Sequence, residues 1–210
     1  MKTTERSHTY TCLRQEIRHF PAHDDPVWSG LPRMELRDTV TGGSPRLATT
    51  VEAFRNEHSL FFRFTCQDDH FVATLAQHDD PIYTEDVVEV FLSETRREQE
   101  YKEFENSPAN VKFDALIRYD GPEQIHVIRE WDAEGWRTEV YRDSRGGAVY
   151  VWAIPFANFT GGVPSSGDRW LMNCFRIDRG REGSDEYSAW SPTEELNFHV
   201  PGKFGALIFD

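Results

Sequence analysis

The sequence predicts an all-β fold, a two-sheet antiparallel β-sandwich of immunoglobulin-like appearance, and three observations carry that prediction. Short segments rich in β-branched and aromatic residues recur along the 210 residues. Clusters of Gly, Pro, Asn and Asp separate them, and none keeps a helical period for long. About ten such segments at this spacing suit two packed sheets.

The clearest element is a hairpin. Leu47 to Phe54 and Leu60 to Cys66 flank the polar turn Asn56, Glu57, His58, and Leu60, Phe62 and Phe64 are set two apart, which puts them on one face. Asp86 to Leu92, Tyr101 to Asn106, Val111 to Tyr119, Gln124 to Glu130, Trp136 to Arg142, Ala148 to Ile154, Trp170 to Ile177 and Phe204 to Phe209 read as further strands. Gly42-Gly43, Gly146-Gly147 and Gly161-Gly162 mark turns between segments. The stretch from Asp68 to Asp86 is polar and reads as a long loop, the kind of segment on which a rigid sandwich carries binding groups. No linker or low-complexity tract divides the chain, so residues 1–210 read as one domain.

Hydrophobic residues make up 38% and aromatic residues 13%, enough for a sizeable core, and no run approaches the roughly 20 apolar residues of a membrane helix. The formal net charge of -13 would repel a phosphate backbone, so neither nucleic acid nor a membrane is an expected partner. Residues 1–11 are polar with no apolar stretch. The chain as given therefore carries no export signal; it is cytoplasmic by default and extracellular if a signal was trimmed. Cys12, Cys66 and Cys174 are odd in number and widely spaced, which predicts buried free thiols instead of a disulfide framework or zinc site.

The most informative stretch is Pro81-Ile82-Tyr83-Thr84-Glu85-Asp86-Val87-Val88-Glu89-Val90-Phe91, where a loop aromatic precedes a strand carrying acids. A ring can cover the C–H face of a pyranose while a nearby carboxylate accepts from its hydroxyls. The bland reading is that Tyr83 packs over one end of the sandwich and Glu89 is a solvated strand residue. A glycosidase would need two carboxylates facing each other across a cleft. Asp86 and Glu89 project to opposite faces of a strand, and no nucleophile elbow, HExxH or phosphate loop occurs.

From this stretch outward the sequence resembles the family 9 carbohydrate-binding modules and their DOMON-like β-sandwich relatives. The likeness runs in order through an early strand with Trp28 after Asp24-Asp25, Leu60 to Phe64 followed by Asp68, the Asp86 to Phe91 block, and Gly135-Trp136 before Thr138-Glu139. It continues through Ala153-Ile154-Pro155-Phe156, Asn173 to Arg176, Trp190-Ser191-Pro192, and Phe198-His199 leading to Pro201 and Phe204-Gly205. The resemblance implies non-catalytic binding of a mono- or oligosaccharide, with a sugar held between two aromatic rings at the sandwich edge. It puts the first ring at Tyr83, the carboxylate at Glu89, a polar contact at Asn106, and the second ring at Phe198 or Trp190. The family has tryptophan at both ring positions.

Arg176 is either a charged donor to a ligand or a partner of a nearby acid such as Asp178. His199 is either a ligand contact or a packed histidine. No cofactor is expected beyond a structural calcium, which some family members carry and for which Asp68, Asp79 and Asp80 are candidates, against the simpler reading of a solvated acidic loop. The alternatives to sugar binding are a haem-binding DOMON-like domain using Met34 or Met172 with His126 or His199, and an interaction module whose sugar site has decayed.

Overall fold

The computed structural model describes residues 6–120, 124–143 and 146–210; residues 1–5 of the polar N-terminal stretch lie outside that set. The strands are β1 (Thr9–Arg14), β2 (Met34–Glu35), β3 (Arg37–Asp38), β4 (Thr49–Arg55), β5 (Ser59–Cys66), β6 (Val87–Ser93) and β7 (Glu100–Asn106) in the first half. The second half adds β8 (Lys112–Tyr119), β9 (Ile125–Ile128), β10 (Arg137–Arg142), β11 (Ala148–Pro155), β12 (Arg169–Asp178), β13 (Glu186–Ala189) and β14 (Gly205–Phe209). Among the described residues the only helices are single 3-10 turns, none long and apolar enough to cross a membrane.

The strands lie in two layers. One runs β10-β11-β5-β4, with β2 also on β4; the other runs β14-β12-β6-β7-β8-β9, with β13 and β3 beside β12. β1 joins them: residues 9–12 run parallel to β14, and Leu13 and Arg14 run parallel to β4. Every other pairing is antiparallel. The ten predicted strands are present, and the sequence reading missed the short β2, β3 and β13 as well as β1, which carries only Tyr10 and Cys12 inward.

The alternation of apolar side chains builds the interior. Leu60, Phe62 and Phe64 of β5 and Tyr150, Trp152 and Ile154 of β11 face Val88, Val90 and Leu92 of β6 and Met172 and Cys174 of β12. The opposite side of β5 is apolar as well. Phe61 stacks on Phe54 at 4.6 Å, and Trp28 covers Phe54 edge-on at 5.0 Å. Trp28 therefore belongs to a lid over the outer face, and its segment is a 3-10 turn, not the strand expected from sequence. Pro26 fixes the first turn there and the Asp25 carboxylate accepts from the amide of Val27. All three cysteines are buried free thiols, and burial pushes each above its ordinary range.

Gly205 shows how tightly the C-terminal strand is seated. A Cβ there would lie 2.5 Å from Trp190 Cζ3 and 2.9 Å from the His8 carbonyl oxygen. Gly205→Ala is expected to cost at least about 1 kcal/mol of stability through overpacking. Urea unfolding checks this, and a variant as stable as the parent would contradict the packing described.

Candidate functional site

The outer face of the second sheet carries its own apolar layer. Strand parity brings Val87, Glu89 and Phe91 of β6, Tyr101, Glu103 and Glu105 of β7, Phe113 and Ala115 of β8, and Phe175 and Ile177 of β12 to that side. The loop before β6, predicted long and polar, crosses this face and ends in the 3-10 turn Ile82–Thr84, while the segment around Phe198 covers it from the other side. Between them lies a cavity of about 370 Å³ walled by Tyr83, Phe113, Tyr187 and Phe198 and floored by Glu89, Glu103 and Glu105. That is within the range of small-ligand sites, about 300 to 1,000 Å³. Leu196, 72% exposed, and Val127, 42% exposed, stand at its lining as apolar groups left in water.

The walls are fixed by packing. Tyr83 meets Phe113 edge-to-face at 5.7 Å, and its hydroxyl accepts from Arg129 Nη2 at 2.9 Å. Phe198 lies flat on Phe175 at 4.2 Å, so one of its faces is already used by the protein. His199 stacks on Phe91 at 5.2 Å and its Nδ1 lies 2.7 Å from the Tyr101 hydroxyl. Burial lowers its pKa to about 4, which keeps the ring neutral at ordinary pH. Asn197 Oδ1 accepts from the His199 amide at 3.0 Å, which leaves the Asn197 NH₂ group for the cavity.

The floor is electrostatically unusual. Glu89 and Glu105 are direct cross-strand partners and Glu103 stands two residues from Glu105 on the same side. All three are almost fully buried. Burial, then the charge of Glu103, raises Glu89 well above the ordinary carboxylate range; burial and both neighbours do the same to Glu105, and burial brings Glu103 up to about 7. Like charges directly opposite in a sheet destabilise it, so ionising this floor carries a stability cost.

The family matched by the chain is the carbohydrate family 9 binding domain-like family, over residues 22–210. The chain belongs to that family. Its fold is similar to that of a candidate carbohydrate-binding protein of Bacteroides uniformis, with a TM-score of 0.77 at 14% identity over 96% of this chain and 99% of the other. It is also similar to a family 9 carbohydrate-binding module of Caldicellulosiruptor kristjanssonii in complex with cellotriose, with a TM-score of 0.72 at 12% identity over 97% of this chain and 94% of that one. The same organism's module in complex with glucose gives 0.69 at 11% identity, over 97% and 96%. No curated protein matches the chain.

As a family 9 domain, the chain brings three of the six residues singled out from sequence to one cavity: Tyr83, Glu89 and Phe198. The other three lie elsewhere. Asn106 follows Glu105 on β7 and so points into the sandwich, where its Oδ1 accepts from Trp152 Nε1 at 3.1 Å and its Nδ2 donates to the Val111 carbonyl at 3.1 Å. Arg176, between the outward Phe175 and Ile177, points inward to Asp68 Oδ2 at 2.8 Å, to Asp178, to the Gln67 carbonyl at 2.6 Å and to Thr49 Oγ1 at 3.1 Å. Trp190 is in the sandwich core against Gly205 and His8, which leaves Phe198 as the aromatic of that region at the pocket. The acid-pairing reading of Arg176 therefore replaces the ligand reading.

The acidic loop residues also have local work. Asp68 holds Arg176 and accepts from the His70 amide, Asp80 accepts from the amides of Ala76 and Gln77, and Asp79 lies 3.4 Å from His78 Nδ1. Among the described residues the two groupings of three metal-ligating side chains are His78, Asp114 and Asp132, and Glu89, Glu103 and Glu105; neither contains Asp68, Asp79 or Asp80. The haem alternative loses its geometry. Met34 and Met172 are in the sandwich core, His199 is on the opposite side of the sheet and His126 is on β9, the last strand of its layer.

Sequence reasoning missed Glu103, Glu105, Arg129 and Asn197. A signal was present in Glu100–Asn106, where acids at 103 and 105 flank Phe104, so a charged face and an apolar face alternate on one strand.

Proposed function

We propose that this chain holds one or a few sugar units, without cleaving them, in the pocket between Tyr83 and Phe198. The observation that carries the reading is the convergence of two aromatic walls, a carboxylate floor and the Asn197 amide on one cavity of suitable size. Aromatic faces suit the C–H side of a pyranose, and the carboxylates and amide suit its hydroxyls. The exposed Leu196 and Val127 extend the apolar contact outward. Cellotriose and glucose, held by the Caldicellulosiruptor modules, are the first ligands to try. The reading needs no cofactor.

The arrangement of acids supports binding over hydrolysis. Glycosidase carboxylates flank the scissile bond from two sides at about 5 to 9.5 Å. Here the three acids stand on adjacent strands of one sheet face, with oxygens within 4.8 Å of one another, so all approach a ligand from the same side.

Calorimetric titration of the full chain with glucose, glucosamine and cello-oligosaccharides tests the proposal. Saturable one-to-one binding of at least one of them at millimolar or lower concentration is the expected result; heats no different from dilution for every sugar would overturn it.

A further inference from the structure

The carboxylate floor asks for more than a neutral sugar. Glu89, Glu103 and Glu105 each offer an oxygen within 4.8 Å of the others, and Glu105, only 1% exposed, lines the cavity with no donor group on its Oε2, so that it can bond Glu103 only by sharing a proton. A buried acceptor left unpaired costs about 1–3 kcal/mol, and more when charged, so a group that supplies a donor there is strongly favoured. The protein's own cations on this wall give their hydrogen bonds to other groups, although the charge of Arg129 still acts on Glu103 and Glu105. Arg129 donates to the Tyr83 hydroxyl and lies over Phe113 at 5.4 Å, while Arg179 is held by Asp185, Tyr187 and the Tyr83 carbonyl. The other titratable groups facing this floor, Tyr101, Tyr119 and His199, are neutral at ordinary pH.

Two kinds of cation could satisfy three carboxylates. A bare calcium ion takes six to eight oxygen ligands, and beyond the floor this cavity offers mainly aromatic walls. A primary ammonium has three donors, and acceptors about 2.8 Å from its nitrogen stand roughly 4.6 Å apart. Its carbon skeleton would also meet the rings of Tyr83, Phe113 and Phe198, whose faces attract both C–H groups and positive charge.

We propose that the pocket selects sugars bearing a free, protonated amine, seating the ammonium on Glu89, Glu103 and Glu105, over their neutral counterparts. This rests on the sugar-binding reading above and narrows it to amino sugars as the ligand class.

The test is calorimetry of the full chain, stripped of metal with a chelator, at neutral pH, where Glu103, pushed up to about 7, is ionised in good part and the ammonium can displace the remaining protons of the floor, with glucosamine, glucose and N-acetylglucosamine run side by side. Charge-assisted hydrogen bonds of the usual strength predict glucosamine binding at least about tenfold tighter than the other two. Glu105→Gln, and separately Glu103→Gln, should bring the glucosamine-to-glucose affinity ratio close to one. Each relieves like-charge crowding, so each should melt no lower than the parent, which separates lost selectivity from lost fold. Glucose bound as tightly as glucosamine would overturn the selectivity while leaving sugar binding intact; no binding of any of the three, or of any cello-oligosaccharide, would overturn both. Calcium chloride titrated into the stripped protein gives the remaining outcome: saturable binding that Glu105→Gln abolishes, and that excludes glucosamine, would make the floor a metal site and overturn the proposal.

Discussion

Arg176→Met should lower the unfolding free energy by about 3–5 kcal/mol, the usual consequence of removing one partner from a buried ion pair. Arg176 is 4% exposed, and its guanidinium is the shared partner of Asp68 and Asp178. Burial already pushes Asp178 up to about 7, even with Arg176 beside it. Without the cation both carboxyls would have to take up protons or draw in water, and the Gln67 carbonyl and Thr49 hydroxyl would lose a donor. Methionine fills part of the volume but supplies no charge. Urea unfolding with linear extrapolation measures the loss. The folded fraction should bind sugar within about twofold of the parent, because Arg176 projects from the face of β12 opposite the pocket. Unchanged stability with lost binding would reverse the assignment.

Tyr83→Ala should have the complementary effect. An aromatic at the centre of a binding site is worth about 2 kcal/mol or more on truncation, roughly thirtyfold in affinity. Tyr83 is well placed for this because its ring is only half-buried, stands edge-on to Phe113 and is tethered by Arg129. Truncation removes the wall and releases the arginine that the hydroxyl holds. Tyr83→Phe keeps the ring and separates the two contributions: most of the affinity should survive if stacking dominates. Calorimetry against the best-bound sugar decides it, and a Tyr83→Ala protein that binds like the parent would show that the ligand sits elsewhere.

The pair of predictions divides the residues singled out from sequence along a physical line. Tyr83, Glu89 and Phe198 line the proposed sugar pocket, whereas Asn106, Arg176 and Trp190 are held inside the sandwich. Sequence alone could not draw that line, because the strands that carry Glu89, Asn106 and Arg176 are covered on both sides and Tyr83, Trp190 and Phe198 lie outside strands. Every residue of β6 is buried, as are nine of the ten in β12. Where only one face of a strand is covered, the period-two pattern shows which side chains point inward. With apolar layers on both faces, Phe91 and Val90 look equally like core, and the parity that sends Glu105 out and Asn106 in is invisible until the partner layers are known.

What the linear sequence settled by itself was the class of fold, the position of ten strands, the burial of three free thiols and the loop aromatic followed by an acid at Tyr83 and Glu89. Those are local properties: side-chain period, turn residues and spacing within a few positions of the chain. Only the tertiary structure decided that Glu89 meets Glu103 and Glu105, residues from the next strand, that Phe198 and not Trp190 reaches the same cavity, and that Arg176 serves two buried acids. Each of these depends on strand register and on which surface a distant segment covers, and both are fixed by packing between parts of the chain that no local pattern connects.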